Sequence, residues 1–260
     1  RSPVLCQGKQ NLEWMMMPEL FTRPTTVLLT GATSGIGTQI LSQTIASGDK
    51  VIAVSRTASA LSAESGVTGY DCDLADPQAV KAMASAVLVK HPDIRIIINN
   101  AGLQLPMRLD DPALATNMLV DEIAINVLAP TIIARAFMPQ FMALSEPSAI
   151  VNISSGLAFF PKTTTALYCA TKAAIHSLSQ SMRYQSEGTQ MRVIEAILPL
   201  VDTPMTKGRG TGKLPADTAA RAIIAGIRKG HDEVYIGKAQ LLRILGWLAP
   251  FIPRRILKAS

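Results

Sequence analysis

Aromatic side chains are scarce. Phe, Tyr and Trp make up 5% of the 260 residues, which argues against a surface built to stack on nucleic-acid bases. Cysteine is scarce too: Cys6, Cys72 and Cys169 are widely spaced, odd in number and form no CxxC. They read as free thiols in a reducing compartment, not as a disulfide frame or zinc site. His91, His176 and His231 are equally scattered, which speaks against a metal centre. No run of about 20 apolar residues is present, so no spanning helix is expected. No block of Lys and Arg occurs either, and nucleic acid is not an expected partner. The net charge of +6 and pI near 9.4 favour anionic partners of some kind, and a phosphorylated cofactor is one of them. The opening lacks the basic-then-apolar pattern of a signal peptide and carries Met15, Met16 and Met17. The expectation is an expression remnant or a disordered upstream extension over 1–24, and a cytoplasmic chain.

What is present is a regular alternation. "TTVLLT" (25–30), "KVIAVS" (50–55), "VTGYDCDL" (67–74), "IRIIINN" (94–100), "SAIVNISS" (148–155), "QMRVIEAILP" (190–199) and "EVYIGK" (233–238) are β-rich apolar runs. Helical patterns lie between them, including a long one over 112–142 and another over about 164–186. Continuous Val, Ile and Leu with interposed helices imply strands buried on both faces, hence a parallel sheet with right-handed crossovers. The expected architecture is a single α/β domain over 25–237: a Rossmann-type, doubly wound sheet of about seven parallel strands flanked by helices. A basic amphipathic helical tail follows over 238–260. For that tail, packing against the body or a second subunit is preferred, and peripheral contact with an anionic membrane is the alternative. The sequon at Asn152 ends an apolar run and is expected to be buried.

The strand "VLLT" runs straight into "TGATSGIG" and then into a helix. That setting lets backbone N–H groups of Thr33, Ser34 and Ile36 and the helix N-terminus meet a pyrophosphate. Gly31 and Gly37 remove Cβ atoms that would block close approach, and Gly35 gives the turn its curvature. An acidic residue at the end of the second strand would repel a 2′-phosphate; here Ser55 is neutral and Arg56 is a cation that can pair with one. NADP(H) is therefore preferred, with NAD(H) possible. The alternative is that Arg56 lies over the adenine or in solvent, and neutral Ser34 supplies no second cation. Asp73 is a candidate acceptor for the adenine amino group with Leu74 against the ring, an ordinary turn or N-cap role being the alternative. Asn100, Ala101 and Gly102 end the fourth strand with small residues that let the backbone pass close to a ribose.

"YCATK" places Tyr168 and Lys172 four residues apart, on one helical face. A free tyrosine, with a pKa near ~10, is a poor proton shuttle at neutrality; a neighbouring ammonium favours the phenolate. Together with "NNAG", Asn126 in "EIAINVLAP", "IVNISS", and Pro199 with Thr203 in "LPLVDTP", these marks resemble the short-chain dehydrogenase/reductase family over about 25–205. The later segments look closest to a bacterial branch labelled as linked to D-alanine esterification of teichoic acids.

The resemblance implies that Tyr168 is the general acid/base and that Lys172 also holds the nicotinamide ribose. It implies that Ser155, 13 residues before Tyr168, stabilises the substrate oxygen. Asn126 would anchor a water that feeds Lys172. Pro199, Val201 and Thr203 would border the nicotinamide, with Thr203 at the carboxamide. It further implies a homodimer or homotetramer and reversible interconversion of a carbonyl and a secondary alcohol. The other reading is a catalytically silent dinucleotide-binding regulator or scaffold. The family's usual Pro-Gly is Pro199-Leu200 here, and 204–216 is short for a substrate lid. "GLAFFP" (156–161) is read as an apolar wall of the pocket.

Overall fold

The computed structural model describes residues 24–63, 66–249 and 251. Cys6 and the expected extension, apart from Pro24, lie outside these residues, as does the tail at 250 and from 252 onward. Among the described residues, seven strands form one parallel sheet. β1 (Thr26–Thr30), β2 (Lys50–Ser55), β3 (Val67–Asp71), β4 (Ile94–Asn99), β5 (Ser148–Ser155) and β6 (Met191–Leu198) are followed by a short ladder of β7 (Val201–Asp202) with β8 (Leu214–Pro215). β9 (Glu233–Tyr235) then closes the sheet in the order β3-β2-β1-β4-β5-β6-β9. Between them run α1 (Gly35–Ala46), α2 (Pro77–Lys90), α3 (Thr116–Ala143), α4 (Ala166–Gln185), α5 (Ala216–Arg228) and α6 (Lys238–Leu248).

Alternation within each strand feeds two cores. Val27, Leu29, Ile96, Ile98, Val151 and Ile194 face one side, toward Ile40 of α1 and Ile223 and Ile227 of α5. Leu28, Ile52, Ile97 and Ile150 face the other, toward Val80 of α2 and Ile133, Phe137 and Phe141 of α3. Each such side chain contributes about 1.5–3 kcal/mol on burial. In register, Leu28 lies opposite Ile52 on one flank and Ile97 on the other. The chain winds outward from β1 to β3 and, in the opposite sense, from β4 to β9. The crevice where the direction reverses therefore lies at the carboxyl ends of β1 and β4.

Two boundaries and one helix interior differ from the sequence expectation. β3 ends at Asp71, whose carboxylate takes the Ser59 N–H at 2.7 Å. Asp73 then accepts the Ala75 N–H, and Asp76 caps α2 by accepting the Gln78 N–H at 2.8 Å. α3 begins at Thr116, after a stretch pinned by the Asp111 side chain on the Ala113 N–H. It also contains a π turn, Ala124–Leu128, that period alone did not predict. Pro130 supplies the reason: it has no N–H for the carbonyl of Asn126 and crowds it, so the helix widens just before the proline. α3 is long and apolar enough to cross a bilayer, but Ile133, Phe137 and Phe141 are fully buried against the sheet, the mark of a core helix.

Asn152 is buried and donates to Ser179 Oγ at 2.9 Å. Cys72 and Cys169 are buried free thiols. α6 docks through fully buried Ala239, while Leu242 lies where a Cβ on Gly156 would be 2.7 Å from it. Leu241, Ile244 and Leu248 stay exposed; the Trp247 side chain lies outside the described residues.

Candidate active site

Two loops meet at the crevice. Gly31 and Gly35 adopt φ of 68° and 56°, in the left-handed region that glycine occupies without Cβ strain. A Cβ on Gly31 would come within 2.9 Å of Ala101 Cα, so the first glycine exists to let the loop after β4 pass. A Cβ on Gly37 would lie 1.9 Å from the Gly31 carbonyl oxygen; its bareness seats α1 against its own turn. Thr30, which the sequence reading did not single out, ties the loops together: its Oγ1 accepts from the N–H groups of Asn100 and Ala101 at 3.0 and 3.1 Å. Asn100 Nδ2 donates back to the Thr30 carbonyl at 3.0 Å. A threonine at a strand end is the only signal the sequence carried for this.

The residues fit a dinucleotide. Ser34, at the N-cap of α1, makes no side-chain cap bond, and no acidic residue occupies the first turn. The leading N–H groups of α1 thus keep their donors for an anion. Thr33 and Ser34 are exposed at the rim and Ile36 is half-buried. At the end of β2, buried Ser55 accepts the Thr57 N–H at 3.2 Å, and Arg56 is exposed. Asp73 is exposed, while Leu74 is buried in the core beneath. Thr203 packs on the glycine turn: its Cγ2 would be 3.1 Å from a Cβ on Gly35. Val201 is buried in the β7–β8 ladder, and Pro199 is half-buried before it. Exposed Leu200 folds against Gly210. Lys213 donates to the Thr206 carbonyl at 2.7 Å, so the segment that is short for a substrate lid is tied at both ends.

The other wall is α3 against α4. Lys172 Nζ lies 5.5 Å from the centre of the Tyr168 ring and donates to the Ile153 carbonyl at 2.8 Å. Asn126, inside the π turn, clamps the backbone of Leu103: Oδ1 accepts its N–H and Nδ2 donates to its carbonyl, both at 2.8 Å. Nδ2 also donates to Thr171 Oγ1 at 3.1 Å. A Cβ on Gly102 would sit 3.5 Å from Asn126 Oδ1 and 3.9 Å from Lys172 Nζ, which locates both groups around the bare glycine. A cavity of about 10 Å³ lined by Thr30, Asn99, Asn126, Asn152 and Lys172 lies just inside, a volume suited to one water. At the end of β5, Ser155 Oγ accepts the Leu157 N–H at 3.1 Å, leaving its own proton free. Ser154 points the other way and is buried, as the strand alternation requires. Of "GLAFFP", Phe160 is buried in the body and Phe159 meets His176 edge-on at 4.6 Å.

The electrostatics depart from the sequence expectation. Burial raises the Tyr168 phenol above its ordinary value; Cys169 and Glu122 add to this, and Arg209 opposes it. The Lys172 ammonium lies over the ring and donates to the Ile153 carbonyl. Lys172 itself is brought down to about 8 by burial, against the pull of Glu195 and Glu122. Two carboxylates missed in the sequence thus flank the lysine. Glu195 of β6 meets His176 Nδ1 at 2.7 Å, and the two lie with Glu233 within 4.8 Å of one another. Glu122, one turn before Asn126, is fully buried, and neither of its oxygens makes a hydrogen bond of good geometry.

The short chain dehydrogenase family matches residues 25–213. The uncharacterized oxidoreductase DltE of Bacillus subtilis is 31% identical over 228 residues, 84% of this chain and 90% of that protein. The 1-deoxy-11-beta-hydroxypentalenate dehydrogenase of Streptomyces avermitilis is 31% identical over 229 residues, 82% of this chain and 84% of its own length. Among solved structures, a short chain dehydrogenase from Burkholderia cenocepacia in complex with NADP superposes with a TM-score of 0.81 at 27% identity, covering 90% of this chain and 98% of that one.

Proposed function

The chain belongs to the short-chain dehydrogenase family, and from that premise we propose that it is an NADP(H)-dependent oxidoreductase interconverting a carbonyl group and a secondary alcohol, with Tyr168 as general acid and base. The observation that carries the reading is the Tyr168–Lys172 pair, with the ammonium 5.5 Å from the ring centre, beside the bare Gly102. When bound, the nicotinamide dinucleotide supplies or accepts the hydride. Gly31, Gly35 and the open N-terminus of α1 would hold its phosphates, and exposed Arg56 would meet a 2′-phosphate.

Burial keeps the phenol protonated at neutrality, the form that can give a proton to a carbonyl oxygen as negative charge grows there. The Ser155 hydroxyl, already accepting from Leu157, has its proton for the same oxygen. Lys172 carries the charge that stabilises the phenolate left behind, and Asn126 holds the Leu103 backbone and borders the cavity through which a water would return the proton. A hydrophobic alcohol or ketone suits the apolar, partly exposed Leu200 and Met205 after β6, and the hydroxyl-bearing compound in the name of the Streptomyces relative agrees with that class. The exposed Val120, Ile123 and Leu128 along α3 support a homodimer or homotetramer, which sedimentation of the purified chain would check.

A panel of ketones, aldehydes and acyl thioesters with NADPH and NADH tests the activity. Turnover with at least one carbonyl compound is expected, falling about 10²–10⁴-fold in Tyr168→Phe with cofactor binding retained. Normal turnover in that variant would remove the assigned role.

A further inference from the structure

Glu122 has no place in the chemistry just described, yet it occupies the most guarded position near it. It lies on α3 with no exposed surface, and neither carboxylate oxygen makes a hydrogen bond of good geometry; the Leu105 N–H is the nearest donor that favours the ionised form. One helical turn separates it from Asn126, so the two share a helix face, and the Thr116–Ile123 segment packs directly against α4. Its charge is felt by both Tyr168 and Lys172. The other groups acting on this corner are Glu195 of β6, on the lysine, and Cys169 of α4 and Arg209 of the β7–β8 loop, on the phenol. Asp121, next on the same helix, is half-buried. A buried, unpaired carboxyl destabilises a fold, and an apolar side chain of similar size would pack better.

We propose that Glu122 is a positioning residue that acts through Lys172: its carboxyl, by holding or releasing a proton beside the ammonium, sets the range over which Lys172 stays charged next to Tyr168. Burial pushes Glu122 up to about 7, while the Lys172 ammonium and the Leu105 backbone hold it down. When the carboxyl ionises it favours the charged lysine; while it keeps its proton the lysine stands with Glu195 alone. The two groups titrate as a coupled pair, so the charge beside the phenol changes in two steps.

This inference rests on the proposed catalytic reading, and its test does not use turnover. In the full-length protein with ¹³C-labelled lysine, the Lys172 signal, assigned by its loss in Lys172→Met, is followed by NMR across the pH range. Infrared difference spectra report the protonated carboxyl in parallel. In Glu122→Gln the carboxylic-acid band that titrates near neutrality should vanish, and the Lys172 midpoint should fall by about half a unit or more. A midpoint that stays where it is in the wild type overturns the proposal. Should the Gln variant fail to fold, Glu122→Asp, which keeps the carboxyl but draws it back, carries the same expectation of a displaced midpoint and the same refutation. Full activity in Tyr168→Phe would instead sink the catalytic reading and leave the Glu122–Lys172 coupling untouched.

Discussion

Glu195 and Glu122 are both fully buried, and both act on Lys172. Glu195 has an immediate answer: His176, one turn beyond Lys172, sits 2.7 Å away, and Glu195 in turn raises the His176 imidazolium above its ordinary range. Phe159 covers the imidazole edge-on, and Gln180 meets its other nitrogen at 3.1 Å. Glu122 has no such partner, and burial drives it toward the protonated form. The same residue type, equally hidden, is thus paired with an imidazole in one place and driven by burial toward its protonated form in the other. Pairing makes a buried charge structural; leaving it unpaired makes it responsive.

The sharpest way to break the contrast is to remove the partner. His176→Ala should cost about 3 kcal/mol, because Glu195 is left buried without its cation; chemical denaturation at neutral pH measures it. The pH dependence follows from the sign of the shift. His176 binds its proton more tightly folded than unfolded, so its contribution is complete below 6.5 and is lost as pH rises through the higher folded value. The Ala variant should lack that decline.

A smaller effect is expected from Glu122→Gln, in a different window. Glu122 is raised from 4.5 to about 7, so between those values the folded state keeps a proton the unfolded chain has released. Wild-type stability therefore falls as pH rises across that interval. The Gln variant should not show this fall, gaining about 1–3 kcal/mol relative to wild type between about pH 4 and pH 8. Parallel stability curves for the two proteins would mean that Glu122 is no different in kind from Glu195.

The smallest effect belongs to a charge that is neither buried nor paired. Arg56→Ala should weaken NADPH about tenfold and leave NADH unchanged, as read by cofactor fluorescence. Equal weakening of both would remove the NADP(H) preference.

Legibility followed the range of the interactions involved. The strands of the sheet could be read because each is a run of Val, Ile and Leu whose pattern is local, and the glycine turn because a positive φ leaves glycine in the text. Tyr168, Lys172, Asn126 and Ser155 could be singled out as a set because their order and spacing match a family. The π turn was hidden: Pro130 marks a disturbance, but whether a helix kinks, breaks or widens there depends on what packs beside it. Glu122 was hidden for a related reason. In "VDEIAINV" either Asp121 or Glu122 reads as solvent-facing, and the half-turn that buries one follows from the docking of α3 on α4.

Hydrophobic period and backbone permissiveness are properties of neighbours in the chain, so order, handedness and the cofactor crevice were already written in the residues. Charge state is not such a property. The hydration lost by Glu122, Lys172 and Tyr168, and the fields they exert on one another, exist only once α3, α4 and β6 exclude water from the same corner. That is why burial raises a phenol that the neighbouring cation alone would favour as phenolate, and why the proton affinities of this site had to be read in three dimensions.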